Sequence, residues 1–439
     1  MGQVYGSSVR KVHRGVHVMA LLAVASLTFA ACGGSSDSED SSDTTATAAT
    51  DTTAAAATDT TAPASDAPTG VEMKIGLVNT EGTPGLDFPD IRRFMSATVD
   101  YLNLHGGMGN RPMKLETCVA KGSPETSQVC AQELIGKGVE LVLLGLDLFP
   151  DYKTYGAANV PVIGVLPILT PDYTADALFL TGGNATTMGA FAALAKDHFK
   201  AKTIGIVQSD NAGSNSTAAS LIAALDVAGI KHKAVKGGDN ETDAGYQGLM
   251  REAAKDNPDL LVSLYADAGC IGTMRGRASL GITIPVITTS ICADKDVLDA
   301  VGEDAMGWVF AGASEDKDTP ERAIMREILQ PIMNVPAEEI TGASLGLGGL
   351  GYLQIMSLVD YANKMQEAGT EVTGASLYSY LKTTKGLFLF GGVQPIDCGA
   401  APKYPAVCSF SFPMLEYKGA GKLGKLEGVD LVDSTPYLP

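Results

Sequence analysis

The seven cysteines of this 439-residue chain are the residues whose type and spacing could support covalent chemistry or metal binding. Six of the seven can form disulfides, and six cysteines allow 15 connectivities. A metal site would need C-x2-C spacing or a nearby histidine cluster, and the sequence has neither. We therefore predict no metal site and no cofactor. Proximity in the sequence favours three local disulfides: Cys118–Cys130, Cys270–Cys292 and Cys398–Cys408.

The seventh cysteine, Cys32, stands at the end of an apolar run that follows a basic segment. The run is shorter than the ~20 residues that span a bilayer, so we predict a secretory signal over residues 1–31. The sequence Phe29-Ala30-Ala31-Cys32-Gly33 resembles the bacterial lipobox, in which the cysteine thiol receives a diacylglycerol. We expect lipidation at Cys32. The alternative is an ordinary secretory cut that leaves a free cysteine.

The segment behind Cys32 is rich in Ser, Thr, Asp and Ala. Such residues cannot bury enough apolar surface to offset chain entropy, so we predict a disordered tether over residues 32–72. Its composition resembles that of surface lipoproteins of actinobacteria, the high-GC Gram-positive bacteria. A lipid at Cys32 and this tether would place the folded body outside the cell, anchored to the outer face of the cytoplasmic membrane.

Several function classes are disfavoured by composition and motifs. The net charge is −18 and the pI is about 4.7, with no basic patch, which argues against nucleic acid. No G-x-S-x-G, H-E-x-x-H or P-loop motif is present, and we predict that the protein is not an enzyme. "GLGGLG" (346–351) matches a dinucleotide fingerprint, but no strand precedes it, and we interpret it as a flexible lead into a helix.

Short apolar runs alternate with longer amphipathic ones from residue 73 onward. This pattern predicts strands and helices in α/β order, with parallel sheets covered on both faces. Two segments echo each other: "LVLLGLD" (141–147) leads to "VPVIG" (160–164), and "LVSLYAD" (261–267) leads to "IPVIT" (284–288). The echo indicates two similar open α/β lobes. Ligands of such sheets bind beyond the carboxyl ends of the strands, so we expect a cleft there.

The order "MKIGLVNTEG", "DYLNLHGGMGNRPMKL", "SQVCAQELIGKGVELVLLG", "VPVIGVLPILT" and "KTIGIVQSDNAGSNSTAASLIAAL" resembles type I periplasmic binding proteins. The most similar branch comprises the branched-chain amino-acid binders of ABC importers. The resemblance implies two Rossmann-like α/β/α lobes joined by three hinge crossovers, near residues 182–187, 311–314 and 385–389. It divides the body into an N-terminal lobe (73–184 and 313–386) and a C-terminal lobe (185–312 and 387–439).

The residues by which this family holds an amino acid are missing here. Hydroxyl residues after the third strand would hold the ligand carboxylate, but this chain has Asp147, Leu148 and Phe149. After the fourth strand, Thr170 remains, whereas bulky residues replace the usual small ones. The acid for the ammonium group would fall near Ser290, and it is absent. We therefore expect a ligand that is not a standard branched-chain amino acid.

We predict that two walls line the cleft, although each apolar member could instead belong to the core. Asp147 and Asp267 occupy matched positions, where they could bind a hydroxylated or cationic solute or cap the following helices. The first lobe would contribute Asp87, Phe88, Asp147, Leu148, Phe149, Ile168, Leu169 and Thr170, and the second Asn211, Ala212, Tyr265, Asp267 and Ser290.

Two functions remain open. In the first, the protein is a monomeric solute-capture lipoprotein whose partners are an ABC permease and ATPase. In the second, it is a sensory binding module that reports to a membrane receptor. A sensor would normally carry a membrane-spanning helix, and behind the leader no apolar run of ~18 residues occurs in the sequence, which favours capture.

Overall fold

The computed structural model describes residues 67–83, 87–313, 317–342 and 344–439. Cys32 and most of the predicted tether lie outside these residues. None of the helices in the described ranges has both the length and the apolarity needed to span a bilayer.

The first lobe is built on a five-stranded parallel sheet with strand order β2-β1-β3-β4-β5. Its strands are β1 (Met73–Thr80), β2 (Met113–Ala120), β3 (Leu141–Leu144), β4 (Val162–Gly164) and β5 (Leu178–Phe179). Its helices are α1 (Pro89–Leu102), α2 (Pro124–Gly136), α3 (Tyr152–Ala157), α9 (Pro320–Met333), α10 (Gly348–Glu367) and α11 (Gly374–Thr383). Alternate strand residues point to opposite faces, so Leu77 packs in the core with α1 and α10, while Val78 packs in the core with α2 and α3.

The second lobe repeats this arrangement. Its sheet has the order β15-β14-β10-β9-β8-β6-β7, in which β6 to β10 are parallel and β14 and β15 are antiparallel additions. The strands are β6 (Thr203–Ser209), β7 (Lys231–Gly237), β8 (Leu260–Leu264), β9 (Val286–Thr289), β10 (Trp308–Ala311), β14 (Met414–Tyr417) and β15 (Leu423–Lys425). The helices are α4 (Asn184–Ala193), α5 (Ala212–Ala228), α6 (Asp243–Ala253), α7 (Asp267–Ser279) and α8 (Lys295–Val301).

The two parallel sheets share one topology, because both place their first five strands in the order 2-1-3-4-5. The echoed segments correspond to β3 and β4 in one lobe and to β8 and β9 in the other. The predicted two-lobe α/β architecture is therefore confirmed, with both faces of each sheet covered by helices.

The chain crosses between the lobes at residues 180–183, between β10 and α9, and near residues 409–410. The third position differs from the prediction, which began the final segment of the C-terminal lobe at residue 387. Strands β11 (Leu387–Phe388) and β12 (Pro395–Ile396) form a hairpin whose Leu387, Leu389 and Ile396 are buried in the core of the first lobe. The chain stays there until Cys408, whose N–H donates to Phe179 O (2.9 Å). It then forms β13 (Ser411–Phe412) and β16 (Val432–Asp433) in the second lobe.

The tether also ends earlier than predicted. The N–H groups of Thr69 and Gly70 donate to the side chain and main chain of Asn110 (3.0 and 2.8 Å). Arg111 donates to the carbonyl groups of Val71 and Glu72 (2.8 and 3.1 Å). Residues 69–72 are therefore part of the folded body.

Candidate solute-binding cleft

The loop after β1 is held by two polar side chains. Asn79 donates to Phe88 O (2.7 Å) and accepts from Leu146 N (3.0 Å), which fastens the ends of β1 and β3 to the start of α1. Glu81 accepts two hydrogen bonds from Arg92, at 2.8 and 2.9 Å. Burial alone would raise the pKa of Glu81, but hydrogen bonds from Arg92 and Asn79 hold that pKa below its usual value. Glu81 therefore stays ionised, and its carboxylate is paired with Arg92.

Asp147 points into the first lobe. It is 3% exposed, and its Oδ1 accepts from Ser127 Oγ (2.6 Å) and Phe149 N (3.1 Å). Burial raises the pKa of this carboxyl group, while the two hydrogen bonds oppose the rise. Asp151, not Asp147, caps α3, because its Oδ1 accepts from Thr154 N (3.2 Å). Asp147 thus ties the loop after β3 to α2, and it does not cap the following helix.

The loop after β4 is organised by Asp172, which the sequence analysis missed. This side chain is 2% exposed, and its Oδ2 accepts from the N–H groups of Ile168 (2.7 Å) and Leu169 (2.8 Å). Tyr152 donates its hydroxyl to the other oxygen (2.7 Å). Ile168 and Leu169 are half-buried, and Thr170 is exposed at the start of a 3₁₀ turn. The available signal in the sequence was the spacing of Asp172, which follows the apolar residues Leu169 and Ile168 by three and four positions.

The rest of the first predicted wall lies at the same edge of the sheet. Asp87 is exposed and accepts from Gly82 N (2.8 Å), and Phe88 is half-buried. Leu148 is half-buried, whereas Phe149 is 38% exposed.

The second wall also lies at the carboxyl ends of its strands. Asn211 caps α5 by accepting from Ser214 N (2.8 Å), so capping accounts for this residue. Tyr265 is 3% exposed, packs edge-on against Tyr246, and has a pKa raised by burial. Ser290 is exposed in the turn after β9. Ala212 and Asp267 begin α5 and α7, and their side chains lie outside the described part of the structure.

The three predicted disulfides are all present. Cys270–Cys292 joins the first turn of α7 to the turn after β9, and both sulfur atoms lie near the carbonyl oxygen of Tyr265 (3.5 and 3.4 Å). This bridge therefore connects the ends of β8 and β9. Cys398–Cys408 closes the loop that precedes the third crossover.

Large hydrophobic side chains are exposed around the cleft. Phe149 (38% exposed) follows β3, and Ile291 (52%) follows β9 in the other lobe. Leu347 (42%) precedes α10, and Val393 (60%) lies in the β11–β12 hairpin. Burying such side chains against a solute would be favourable, at about 25 cal/mol per Å² of apolar surface.

A cavity of about 660 Å³, which we call the hinge-side cavity, lies beside the second and third crossovers. The first lobe contributes α9, the glycine-rich segment before α10, α10 itself and the β11–β12 hairpin, and the second contributes β14 and the loop after β15. Gly312 and Ala313, which directly follow β10, place the cavity at the carboxyl edge of the second sheet. Its apolar lining includes Met325, Leu345, Leu353, Phe390, Met414 and Leu431.

The predicted wall residues do not line this cavity. In the described ranges, no hydrogen bond or ion pair joins a predicted residue of one wall to one of the other. The sequence signal that was available is the segment "GLGGLG", because Gly346 and Gly349 line the cavity. The structure shows no group of three or more His, Cys, Asp or Glu side chains that could hold a metal ion in the part of the chain that it describes.

The family model described as "Periplasmic binding protein" matches residues 72–399. An ABC transporter substrate-binding protein from Sphaerobacter thermophilus is 18% identical, with a TM-score of 0.62 over 84% of this chain and 99% of that one. A solute-binding protein of an ABC transporter from R. palustris, in complex with 4-hydroxybenzoate, is 17% identical, with a TM-score of 0.58 over 83% and 98%.

The branched-chain amino acid transporter substrate-binding protein LivJ from Streptococcus pneumoniae, in complex with isoleucine, is 14% identical, with a TM-score of 0.56 over 82% and 99% of the two chains. At these identities the likeness concerns the fold. No curated protein matches the sequence significantly. Because the family model covers most of the folded body, the chain belongs to the periplasmic binding proteins, which are extracytoplasmic solute-binding proteins and not enzymes.

Proposed function

We propose that this protein captures a small solute between its two lobes and delivers it to an ABC permease and ATPase. The observation that supports this most strongly is a cavity lined by both lobes where the crossovers meet. A solute that touches both lobes favours the closed arrangement by its differential affinity for it. The neighbours named as ABC transporter substrate-binding proteins support the importer as partner.

The solute is more apolar than a branched-chain amino acid. The hydroxyl anchors of the amino-acid binders are missing, and Asp147 is engaged with Ser127 and Phe149 N inside the lobe. Exposed Phe149 and Ile291 instead present apolar surface from both lobes. The neighbour that holds 4-hydroxybenzoate shows that this fold accommodates an aromatic carboxylate.

The test is to extract the purified protein with organic solvent, identify the released molecule by mass spectrometry, and add it back. Small-angle scattering should then show a smaller radius of gyration with the solute than without it. Deleting the gene should abolish uptake of the same solute. Calorimetry with the twenty amino acids should show weak binding or none, and micromolar binding of leucine, isoleucine or valine would contradict the proposed ligand class.

We also propose that a lipid at Cys32 anchors the protein to the outer face of the membrane and that it acts as a monomer. Cys32 precedes the body by a segment long enough to serve as a tether. Cys32→Ala should release the protein into the medium, and light scattering should give the mass of one chain. Retention of the variant in the membrane fraction with its leader uncut would mean that Cys32 is not the anchor.

A further inference from the structure

The hinge-side cavity has the size and lining of a ligand site that the sequence analysis did not assign. Its volume of about 660 Å³ falls within the ~300–1,000 Å³ that is typical of pockets for drug-sized molecules. The cavity is open to solvent between the two lobes, so its volume and its largely apolar lining are what mark it as a candidate ligand site.

The lining is mostly apolar; Lys317, Glu321 and Arg322 are further charged members, and several of its polar members have partners within the protein. Gln394 donates to Ser411 O (3.1 Å), and Tyr352 donates to Glu321 O (3.5 Å). Thr319 caps α9 by accepting from Arg322 N (3.2 Å), and Lys425 pairs with Asp430 (3.1 Å) at the exposed rim. A polar solute would lose hydrogen bonds with water here and would find few groups to replace them along the apolar part of the lining.

We propose that the hinge-side cavity is the site where the solute binds, and that the solute is a largely apolar organic molecule larger than an amino acid. This inference rests on the proposed function and refines it. The molecule would contact α10 and the β11–β12 hairpin in one lobe and β14 in the other. The loops that carry Phe149 and Ile291 would cover the solute with their apolar surface, while the residues that line the cavity provide most of the contacts.

The β11–β12 hairpin offers a matched pair of variants. Val393 is 60% exposed and lines the cavity, whereas Phe388 is 48% exposed on the same hairpin and does not. Val393→Asp places a charge in the apolar wall, and Phe388→Asp makes the same change outside it. Leu353→Trp is a second variant that fills the space from α10. Because Val393 and Phe388 are exposed, neither Asp substitution should prevent folding.

The probe is N-phenyl-1-naphthylamine, an uncharged aromatic molecule whose fluorescence rises in apolar sites, titrated into the full protein after its bound solute has been removed by dialysis. Val393→Asp and Leu353→Trp should each weaken binding by about tenfold or more, which corresponds to about 1.4 kcal/mol. Phe388→Asp should change the affinity for the probe by less than about twofold. The extracted solute should displace the probe from the native protein.

Two outcomes overturn the inference. In the first, Phe149→Asp or Ile291→Asp abolishes binding of the extracted solute while Val393→Asp and Leu353→Trp leave it unchanged. The solute would then sit at the centre of the cleft, and the proposed capture function would stand. In the second, the probe does not bind to the native protein. Failure of the proposed function would appear separately, as an extract without solute and uptake that does not depend on the gene.

Discussion

Asp147 and Asp172 are buried carboxyl groups that fix the loops after β3 and β4 from within the first lobe. The contact of each carboxyl group with a distant side chain could not be predicted from the sequence, because no local pattern records it. Ser127 lies 20 residues before Asp147, and Tyr152 lies 20 residues before Asp172. By contrast, the cap that Asn211 provides for α5 is a local contact, with an N–H group three residues on, although the sequence prediction placed Asn211 in the wall of the cleft.

We predict that Asp147→Ala destabilises the protein by about 1–3 kcal/mol, because the Ser127 hydroxyl and Phe149 N–H would lose their buried acceptor. Asp147→Asn keeps an oxygen that can accept both bonds, so it should cost less. Urea denaturation of the three proteins measures the difference. Neither variant should change the affinity for the extracted solute, and a large loss of affinity in a stable Asp147→Asn protein would mean that Asp147 contacts the ligand.

The same carboxyl group predicts a pH dependence with a definite sign. Burial raises its pKa in the folded state, so the folded protein binds more protons at this site than the unfolded chain. This proton binding by Asp147 adds to the free energy of unfolding below the unfolded pKa of about 4. The contribution is lost as the pH rises through the higher pKa of the folded state. The stability of Asp147→Asn relative to the native protein should therefore increase from about pH 4 towards pH 7. A relative stability that falls over this interval would exclude a raised pKa.

At the scale of elements, the alternating pattern predicted most of the sheet framework. Each predicted strand overlaps an observed one, because buried parallel strands form continuous apolar runs; the predicted strands are residues 74–79, 113–118, 140–144, 162–165, 203–208, 231–236, 260–264 and 286–288. The parallel strands β5 and β10 were both missed, and the two residues of β5 are too few to give a periodic signal. The β11–β12 hairpin was also missed, and with it the lining of the hinge-side cavity. Its strands are two residues each, and its position depends on burial against a distant core.

The glycine-rich segment that leads into the first turn of α10 has a packing role that its motif did not indicate. A Cβ atom at Gly351 would lie 2.2 Å from Ile91 O, so α10 can pack against α1 only without a side chain at this position. We predict that Gly351→Ala lowers the free energy of unfolding by about 1–3 kcal/mol. Gly248→Ala is the control, because Gly248 lies in α6 with open space around its Cβ position. That variant should gain about 0.5–1 kcal/mol in denaturation experiments, and equal effects from both variants would exclude the packing role.

The Cys270–Cys292 bridge joins the ends of β8 and β9, where the second wall of the cleft begins. Removing both cysteines should cost about 2–4 kcal/mol, because a cross-link restricts the unfolded chain. It should also increase hydrogen exchange in the turn after β9. The matched control removes Cys118 and Cys130, which lie in the other lobe. If hydrogen exchange in the turn after β9 is also faster in the control, the effect is a global loss of stability. The local role of the Cys270–Cys292 bridge would then be excluded.

At the scale of the whole molecule, the duplication of the sheet was predictable from two echoed segments, whereas the limits of the folded body were not. Residues 69–72 have no apolar periodicity, and their order comes from hydrogen bonds to a turn about 40 residues away. Arg111 connects this segment to Glu140 and to Val372 O as well (2.5 and 2.7 Å). Such contacts depend on the assembled lobe and leave no local pattern in the sequence.

The limits of the body can be tested by truncation. A protein that begins at Ala67 should melt at the same temperature as the chain that begins after the signal sequence, because it keeps all of these bonds. A protein that begins at Met73 should lose about 1–3 kcal/mol, since Arg111 loses two carbonyl acceptors and Asn110 loses two N–H donors. Differential scanning calorimetry of the three proteins gives the comparison, with Arg111→Lys in the Ala67 form as a control that weakens the same contacts without truncation. Equal melting temperatures for the Ala67 and Met73 forms would restore residue 73 as the start of the folded body.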